Sequence, residues 1–413
     1  MKNILKSTIK IVTVLLAVCA MVSLPACNDY PDAYTSTKGK PTVNYIRIPD
    51  ILKSDSIVTH ASMGTMIALM GSNLKSIKEV WFNDQMAILN TSFITATSLI
   101  VPVTNGIPAN VTNKIYLVTT TGDTVKVDFT VDVSAPVVSN MKCEQVAVGD
   151  TATINGDFFL DYPNSPLKVI FPGNIPATKI YSITKTQILV QVPTGATIPG
   201  QINVTSTYGN GRSVFWFLDN RGIILDFDNT NANGGWRTGV LSNTNPAGIS
   251  GNYVRFSGAM AGKNASTWNE DAFSFDLWGS ANGRPQGDLF SIDPTKAAIK
   301  FEVNVDKPWS SGALQMIFTP WATSGTNSYI GDGVTPRGLW TPWLTTGTFQ
   351  TNGWITVTIP LSQFKFDANG KVLQAAPIGN YGGLTFFVYA GGVDGKDCNP
   401  DICIDNIRVV PNE

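Results

Sequence analysis

The sequence predicts an all-β protein made of two small β-sandwiches followed by a larger jelly-roll sandwich. Three observations carry that expectation. Short runs rich in Thr, Val and Ile alternate between apolar and polar residues with period two. Turn residues, drawn from 37 Gly and 24 Pro, punctuate those runs, roughly every 8–12 positions, as in sandwich folds. No segment of the C-terminal region sustains a helical period. At 413 residues the chain is too long for one small core.

The first 27 residues read as an address rather than as structure. Lys2 and Lys6 supply charge, Ile9 to Val22 an apolar stretch, and Leu24-Pro25-Ala26-Cys27 closes it. The stretch is short for a membrane span and ends in a cleavage-site pattern. It resembles a bacterial lipoprotein signal with its lipobox, which implies that Cys27 becomes the acylated first residue of a mature outer-membrane lipoprotein. Asn28-Asp29-Tyr30-Pro31-Asp32 resembles the acidic tract that follows the lipidated cysteine in surface-exported lipoproteins of Bacteroidetes. Residues 28–40 are expected to form a disordered tether.

Composition removes several function classes. Charged residues make up 14% and the formal net charge is −1, so there is no basic surface for nucleic acid and no steering field for a charged substrate. His60 is the only histidine, which argues against Ser–His or Cys–His catalysis and a His-based zinc site. Beyond the leader, Cys143, Cys398 and Cys403 remain. Cys398 and Cys403 are close enough in sequence to close a short disulfide loop, and all three fit equally well as small core residues.

A repeat of β-rich sequence then spans residues 41–133 and 134–218. The first copy runs through Gly71-Ser72-Asn73-Leu74, Val80-Trp81-Phe82-Asn83 and Val101-Pro102; the second through Gly156-Asp157-Phe158-Phe159, Val169-Ile170-Phe171 and Val192-Pro193. These copies resemble the immunoglobulin-like IPT/TIG fold, with Phe158-Phe159 replacing the Asn-Leu pair. Such modules act as spacers. Trp81 and Trp216 sit in apolar runs and are expected to pack in the cores.

From residue 219 to 413 the texture changes: strands lengthen and aromatics crowd. Lys300 to Val305 alternates cleanly, with Phe301, Val303 and Val305 on one face and Lys300, Glu302 and Asn304 on the other. Eight of the ten tryptophans fall here: Trp236, Trp268, Trp278, Trp309, Trp321, Trp340, Trp343 and Trp354. Most have Pro, Gly, Ser, Thr or Asn as neighbours. Indoles held in loops over a β scaffold suit the apolar C–H face of a pyranose, each stack being worth on the order of 1–2 kcal/mol. Trp354 opens an apolar strand and reads as core.

Asp226-Phe227-Asp228 at a first strand and Ile404-Asp405-Asn406-Ile407-Arg408 at the last look like jelly-roll carbohydrate-binding modules. The intervening phrase Phe301-Glu302-Val303, Pro308-Trp309 and Gly353-Trp354-Ile355-Thr356-Val357-Thr358-Ile359-Pro360 is similar to the C-terminal glycan-binding domain of Bacteroidetes surface glycan-binding proteins. That resemblance implies a non-catalytic, cell-surface receptor for a neutral polysaccharide, a β-glucan such as xyloglucan or mixed-linkage glucan. It also implies a TonB-dependent transporter and a companion surface glycan-binding protein as partners.

Within that family aromatic loops make the platform, and Trp340, Trp343, Trp321, Trp309, Trp278 and Tyr329 are its candidates here. Arg337 and Arg284 are candidate donors to sugar hydroxyls. No cofactor is expected, although Asp226, Asp228 and Asp405 offer oxygen ligands for a structural Ca²⁺ and serve equally as turn caps. Two alternatives stay open: a glycoside hydrolase or lyase on the jelly roll, for which no carboxylate pair stands out, and a protein-binding adhesin.

Overall fold

The computed structural model describes residues 34–53, 55–232, 240–262, 274–280, 283–323, 333–389 and 392–412. The protein is all-β; among the described residues only short 3₁₀ turns interrupt the strands. It divides into two compact units, Met1–Val133 and Ser134–Glu413.

The first unit is a small sandwich. Thr42–Arg47, Met66–Ser72 and Ser98–Pro102 form one sheet; Gln85–Met86, Ile77–Phe82, Lys114–Thr119 and Thr124–Asp128 form the other. Residues 34–40, expected as a free tether, are bound to this sandwich. The Thr37 N–H donates to the Lys75 carbonyl at 3.1 Å, and the Tyr34 hydroxyl reaches the same oxygen. His60 is exposed and pairs with Asp132 at 2.7 Å.

The second unit holds two cores. In its first, Val137–Met141, Thr151–Asp157, Gln187–Gln191 and Ile180–Ile183 face a sheet of Ile175–Pro176, Lys168–Phe171, Asn203–Ser206 and Gly209–Arg212. The two small sandwiches share a physical signature. In each, the opening strand bulges, between Val43 and Tyr45 and between Val138 and Asn140. A glycine meets that crossing: a Cβ on Gly71 would lie 1.8 Å from the Thr42 oxygen, and on Gly156 1.8 Å from the Val137 oxygen. Two residues on, the backbone turns left-handed, at Asn73 (φ 55°) and at Phe158 (φ 55°). Asparagine tolerates that region; phenylalanine is strained in it. The residues after them, Leu74 and Phe159, are both buried. Trp81 and Trp216, expected inside, face outward instead. Buried Val80 and Phe82 take the inward parity beside Trp81, whose indole donates to Glu79, and Arg221 lies 4.2 Å over the Trp216 ring.

The second core belongs to the large sandwich. One sheet runs Val240–Ser242, Tyr253–Ser257, Asp401–Pro411, Ala297–Lys307 and Ile355–Pro360, with Ile223–Leu225 also paired to Asp401–Pro411. The other runs Ser274–Leu277, Gly383–Tyr389, Ala313–Thr319 and Arg337–Trp340. Phe301, Val303 and Val305 meet Leu314, Met316, Leu384 and Phe386 between them. Each such buried side chain contributes about 1.5–3 kcal/mol.

Lys300 and Glu302 face away from that core as their alternation requires, yet they are buried too, because the preceding small sandwich covers this face. The Lys300 ammonium donates to Glu144 at 2.7 Å, and Arg408 binds Glu144 at 2.8 Å and Glu302 at 2.7 and 3.0 Å. The Thr356 hydroxyl closes the network, donating to Glu302 and accepting from the Glu144 N–H, both at 2.8 Å. Burial pushes the Glu302 carboxyl up against the pull of Arg408. Burial opposes the Arg408 charge as well, but the two carboxylates more than offset it and hold the guanidinium above its usual value.

Candidate functional site

Strand register fixes which side chains share the outward face of the large sandwich's second sheet. Met316 and Phe386 pair across it and enter the core, so their neighbours point outward. One outward row reads Asp276, Thr385, Ile317, Arg337; the next reads Ser274, Phe387, Gln315, Leu339. These rows are hydrogen-bonded and almost wholly buried. The Thr385 hydroxyl donates to Asp276 at 2.5 Å, Arg337 donates to the Gln315 amide oxygen at 3.0 Å, and Gln315 donates to the Ala368 carbonyl at 3.1 Å. Ile317 and Phe387, with half-buried Tyr389, form a small apolar cluster of their own on that face.

At one end of the same sheet lies an open hollow of about 190 Å³, lined by Arg284, Gln286, Asp288, Leu289, Trp321 and Gly382 among others. Trp321 follows the Ala313–Thr319 strand after Pro320, which ends the ladder. Two glycines make room for it: a Cβ on Gly279 would lie 2.6 Å from the indole Cδ1, and on Gly382 2.5 Å from the Trp321 Cα. Its indole N–H donates to the Arg284 carbonyl at 3.0 Å, so the ring is oriented while remaining partly accessible. The Arg284 guanidinium reaches the Ile224 carbonyl at 3.4 Å, and burial pulls its pKa down. Asp288 accepts from the Gly379 and Tyr381 N–H groups at 2.9 and 3.0 Å. The hollow therefore presents one fixed indole beside a guanidinium, a carboxylate and the Gln286 amide, a set suited to a ring with an apolar face and a hydroxyl rim.

Of the residues singled out in the sequence, the structure brings Trp321 and Arg284 together. Trp278 is half-buried, just past the strand that carries Asp276. Three others are corrected by burial. Trp309 is 0% exposed, with its indole N–H given to the Ser311 carbonyl; Trp343 is 4% exposed and donates to Gly312 at 2.8 Å; Arg337 is 0% exposed within the outward rows. None of them has a free surface for a sugar. Trp340 pairs in register with Leu314, which sends it toward the core, where it meets Phe301, Trp309 and Phe349 edge-on at 5.5–5.6 Å; part of its ring stays accessible. Tyr329, Trp236, Trp268 and Cys27 lie outside the described residues. Trp354, expected in the core, is half-buried, with part of its ring accessible.

The aspartates considered for calcium are engaged by neighbouring donors. Asp226 accepts from the N–H groups of Asn229 and Thr230 and Asp228 from the Asn252 N–H, while Asp405, in the last strand, accepts from the Ser250 hydroxyl and the Asn406 N–H. Burial pushes the Asp405 carboxyl up to about 7. Among the described residues no group of three or more His, Cys, Asp or Glu is placed to hold a metal ion. Cys143, Cys398 and Cys403 are free thiols, so the short disulfide loop does not form; Cys403 is buried in the long last strand while Cys398 lies against Ser310 and Ser311.

Residues 217–411 match the family model described as the surface glycan-binding protein B xyloglucan binding domain. The chain is similar to the crystal structure of the surface glycan-binding protein PbSGBP-B from Prevotella bryantii. The two are 35% identical with a TM-score of 0.78, covering 91% of this chain and 100% of that one. An IPT/TIG domain-containing protein of Bacteroides ovatus is 36% identical over 91 residues, which is 22% of this chain and only 17% of that relative's length.

Proposed function

Because this chain belongs to the surface glycan-binding protein B family, we propose that it is a non-catalytic receptor for a neutral β-glucan of the xyloglucan or mixed-linkage type. The observation that carries the reading is the match of residues 217–411 to a xyloglucan-binding domain, laid over a sandwich whose end presents the oriented Trp321 indole beside Arg284 and Asp288. The low charge of the chain fits a neutral polymer. Lipid on Cys27 holds the protein to the outer membrane, and captured chains pass to a TonB-dependent importer with a companion glycan-binding protein. Shallow stacks give modest affinity per site, and density on the membrane supplies avidity. Absence of catalysis fits the family's role, and two acidic side chains of the large sandwich, Glu302 and Asp276, are taken up by Arg408 and Thr385.

Isothermal titration of the chain beyond Cys27 against neutral and acidic polysaccharides tests this reading. One β-glucan is expected to bind without release of reducing ends. Trp321→Ala should weaken it by about 5–30-fold, the loss of one stack. Silence with every neutral glycan, or release of reducing sugar, would overturn it.

A further inference from the structure

The large sandwich meets the small sandwich before it along a seam, and the seam opens into a cleft of about 600 Å³, larger than the Trp321 hollow. One wall is the outward face of the small sandwich, where Thr151, Thr153 and Leu189 project; Thr153 and Leu189 are register partners on neighbouring strands. The opposite wall is Trp354 with residues 247–249. The geometry points to a second glycan-contact site in this cleft, centred on Trp354 and taking a neutral oligosaccharide segment. The inference borrows its ligand class from the receptor reading above but stands on separate residues.

Trp354 is prepared for stacking. Its indole N–H donates to the Ala247 carbonyl at 3.0 Å, and its ring meets Tyr253 edge-on at 5.2 Å, so its orientation is set before a ligand arrives. Part of the ring remains accessible, toward a space in the size range of small-ligand sites. Both walls are fixed by the buried ion-pair network, because Thr356, two residues past Trp354, bonds Glu144 on one side and Glu302 on the other.

Polarity selects the ligand. The Lys142 ammonium is engaged by the Asn352 carbonyl, and the Gln145 amide donates to the Asp219 carbonyl at 3.0 Å. The polar side chains left to line the cleft are Asp150, Thr151, Thr153 and Asn352: a carboxylate, two hydroxyls and an amide. The Lys142 ammonium is balanced by the Asp150 carboxylate, so the charged side chains lining the cleft sum to zero and do not favour an anion. A polyol fits, donating to Asp150 and accepting from the Asn352 amide while its C–H face lies on the indole.

Hydrogen–deuterium exchange on the chain beyond Cys27, with cellohexaose and a xyloglucan oligosaccharide as probes, tests the site. Slowed exchange is expected in peptides spanning residues 245–254 and 350–356. It should persist in Trp321→Ala and disappear both in Trp354→Ala and in Thr151→Arg, which fills the cleft from an exposed position and leaves the tryptophan in place. Affinity for the long polymer should fall about 3–10-fold in either cleft variant, as one contact of a multivalent set is lost. If wild type binds the polymer and these peptides exchange unchanged, the second site is wrong and the receptor reading stands. If wild type binds no neutral glycan, both fall.

Discussion

Arg408→Met should unseat the seam between the two cores of the second unit. The guanidinium makes three bonds to Glu302 and Glu144 and a fourth to the Asn406 carbonyl at 2.8 Å. Arg408 and Glu302 are 0% exposed and Glu144 is 3% exposed. Without Arg408, Glu144 keeps Lys300, but Glu302 keeps only the Thr356 hydroxyl and becomes a buried charge without a cation. Breaking a buried pair in this way costs about 3–5 kcal/mol. Urea denaturation followed by tryptophan emission measures the loss, and pH gives its signature. The Glu302 carboxyl already sits above its ordinary value through burial, held down in part by Arg408; removing the guanidinium raises it further. The folded variant then binds more protons than the unfolded chain between the ordinary glutamate value of about 4.3 and the new one, so its stability falls as pH rises through that window. The deficit should be larger at pH 8 than at pH 5. Replacing the four charged members, Glu144, Lys300, Glu302 and Arg408, with apolar residues of similar size should recover most of the loss. A single variant within about 1 kcal/mol of wild type, the ordinary range of an exposed pair, or a deficit flat with pH, would refute this account of the seam.

Two further outcomes follow from single residues. Phe158→Asn should stabilise the second small sandwich by about 1 kcal/mol, since it relieves a left-handed phenylalanine at the cost of the Lys185 contact 5.1 Å over its ring; a loss in denaturant midpoint would show that the ring packing outweighs the backbone strain. The Asp405 carboxyl titrates near 7 in the fold and near 3.9 in the unfolded chain, so the folded state holds the extra proton and wild-type stability should decline from pH 4 to pH 7. Asp405→Asn should flatten that slope in chelator-containing buffer, and an unchanged slope would assign it to another group.

The sandwich fold was legible because period-two alternation and turn spacing are local signals. Lys300 to Val305 shows the limit of that legibility: the alternation correctly sends Phe301, Val303 and Val305 inward, but nothing local says that Glu302 on the opposite face is also buried. Its burial depends on Glu144 and Arg408, which are 264 positions apart and meet only when two cores dock. The same distance effect hid the cleft. Trp354 opens an apolar strand and looks like core from its neighbours, yet the wall it faces comes from Thr151 and Thr153 two hundred residues earlier.

The tryptophans were harder still, because turn residues around an indole report that the chain bends there and not which way the ring points. Pro308 and Pro342 bend the backbone beside Trp309 and Trp343, but both rings fold inward and spend their N–H groups on the Ser311 and Gly312 carbonyls. Pro320 bends it equally beside Trp321, and there Gly279 and Gly382 clear a seat at the surface. The discriminating signal is the glycines on neighbouring strand ends, far away in sequence. A platform indole must be immobilised by backbone and left open on one face, and Trp321 and Trp354 both meet that condition, each by donating its N–H to a loop carbonyl. The Ser274–Tyr389 sheet carries one of them and the seam with the small sandwich carries the other, where Thr356 ties the strand that Trp354 opens to the Glu144–Arg408–Glu302 network.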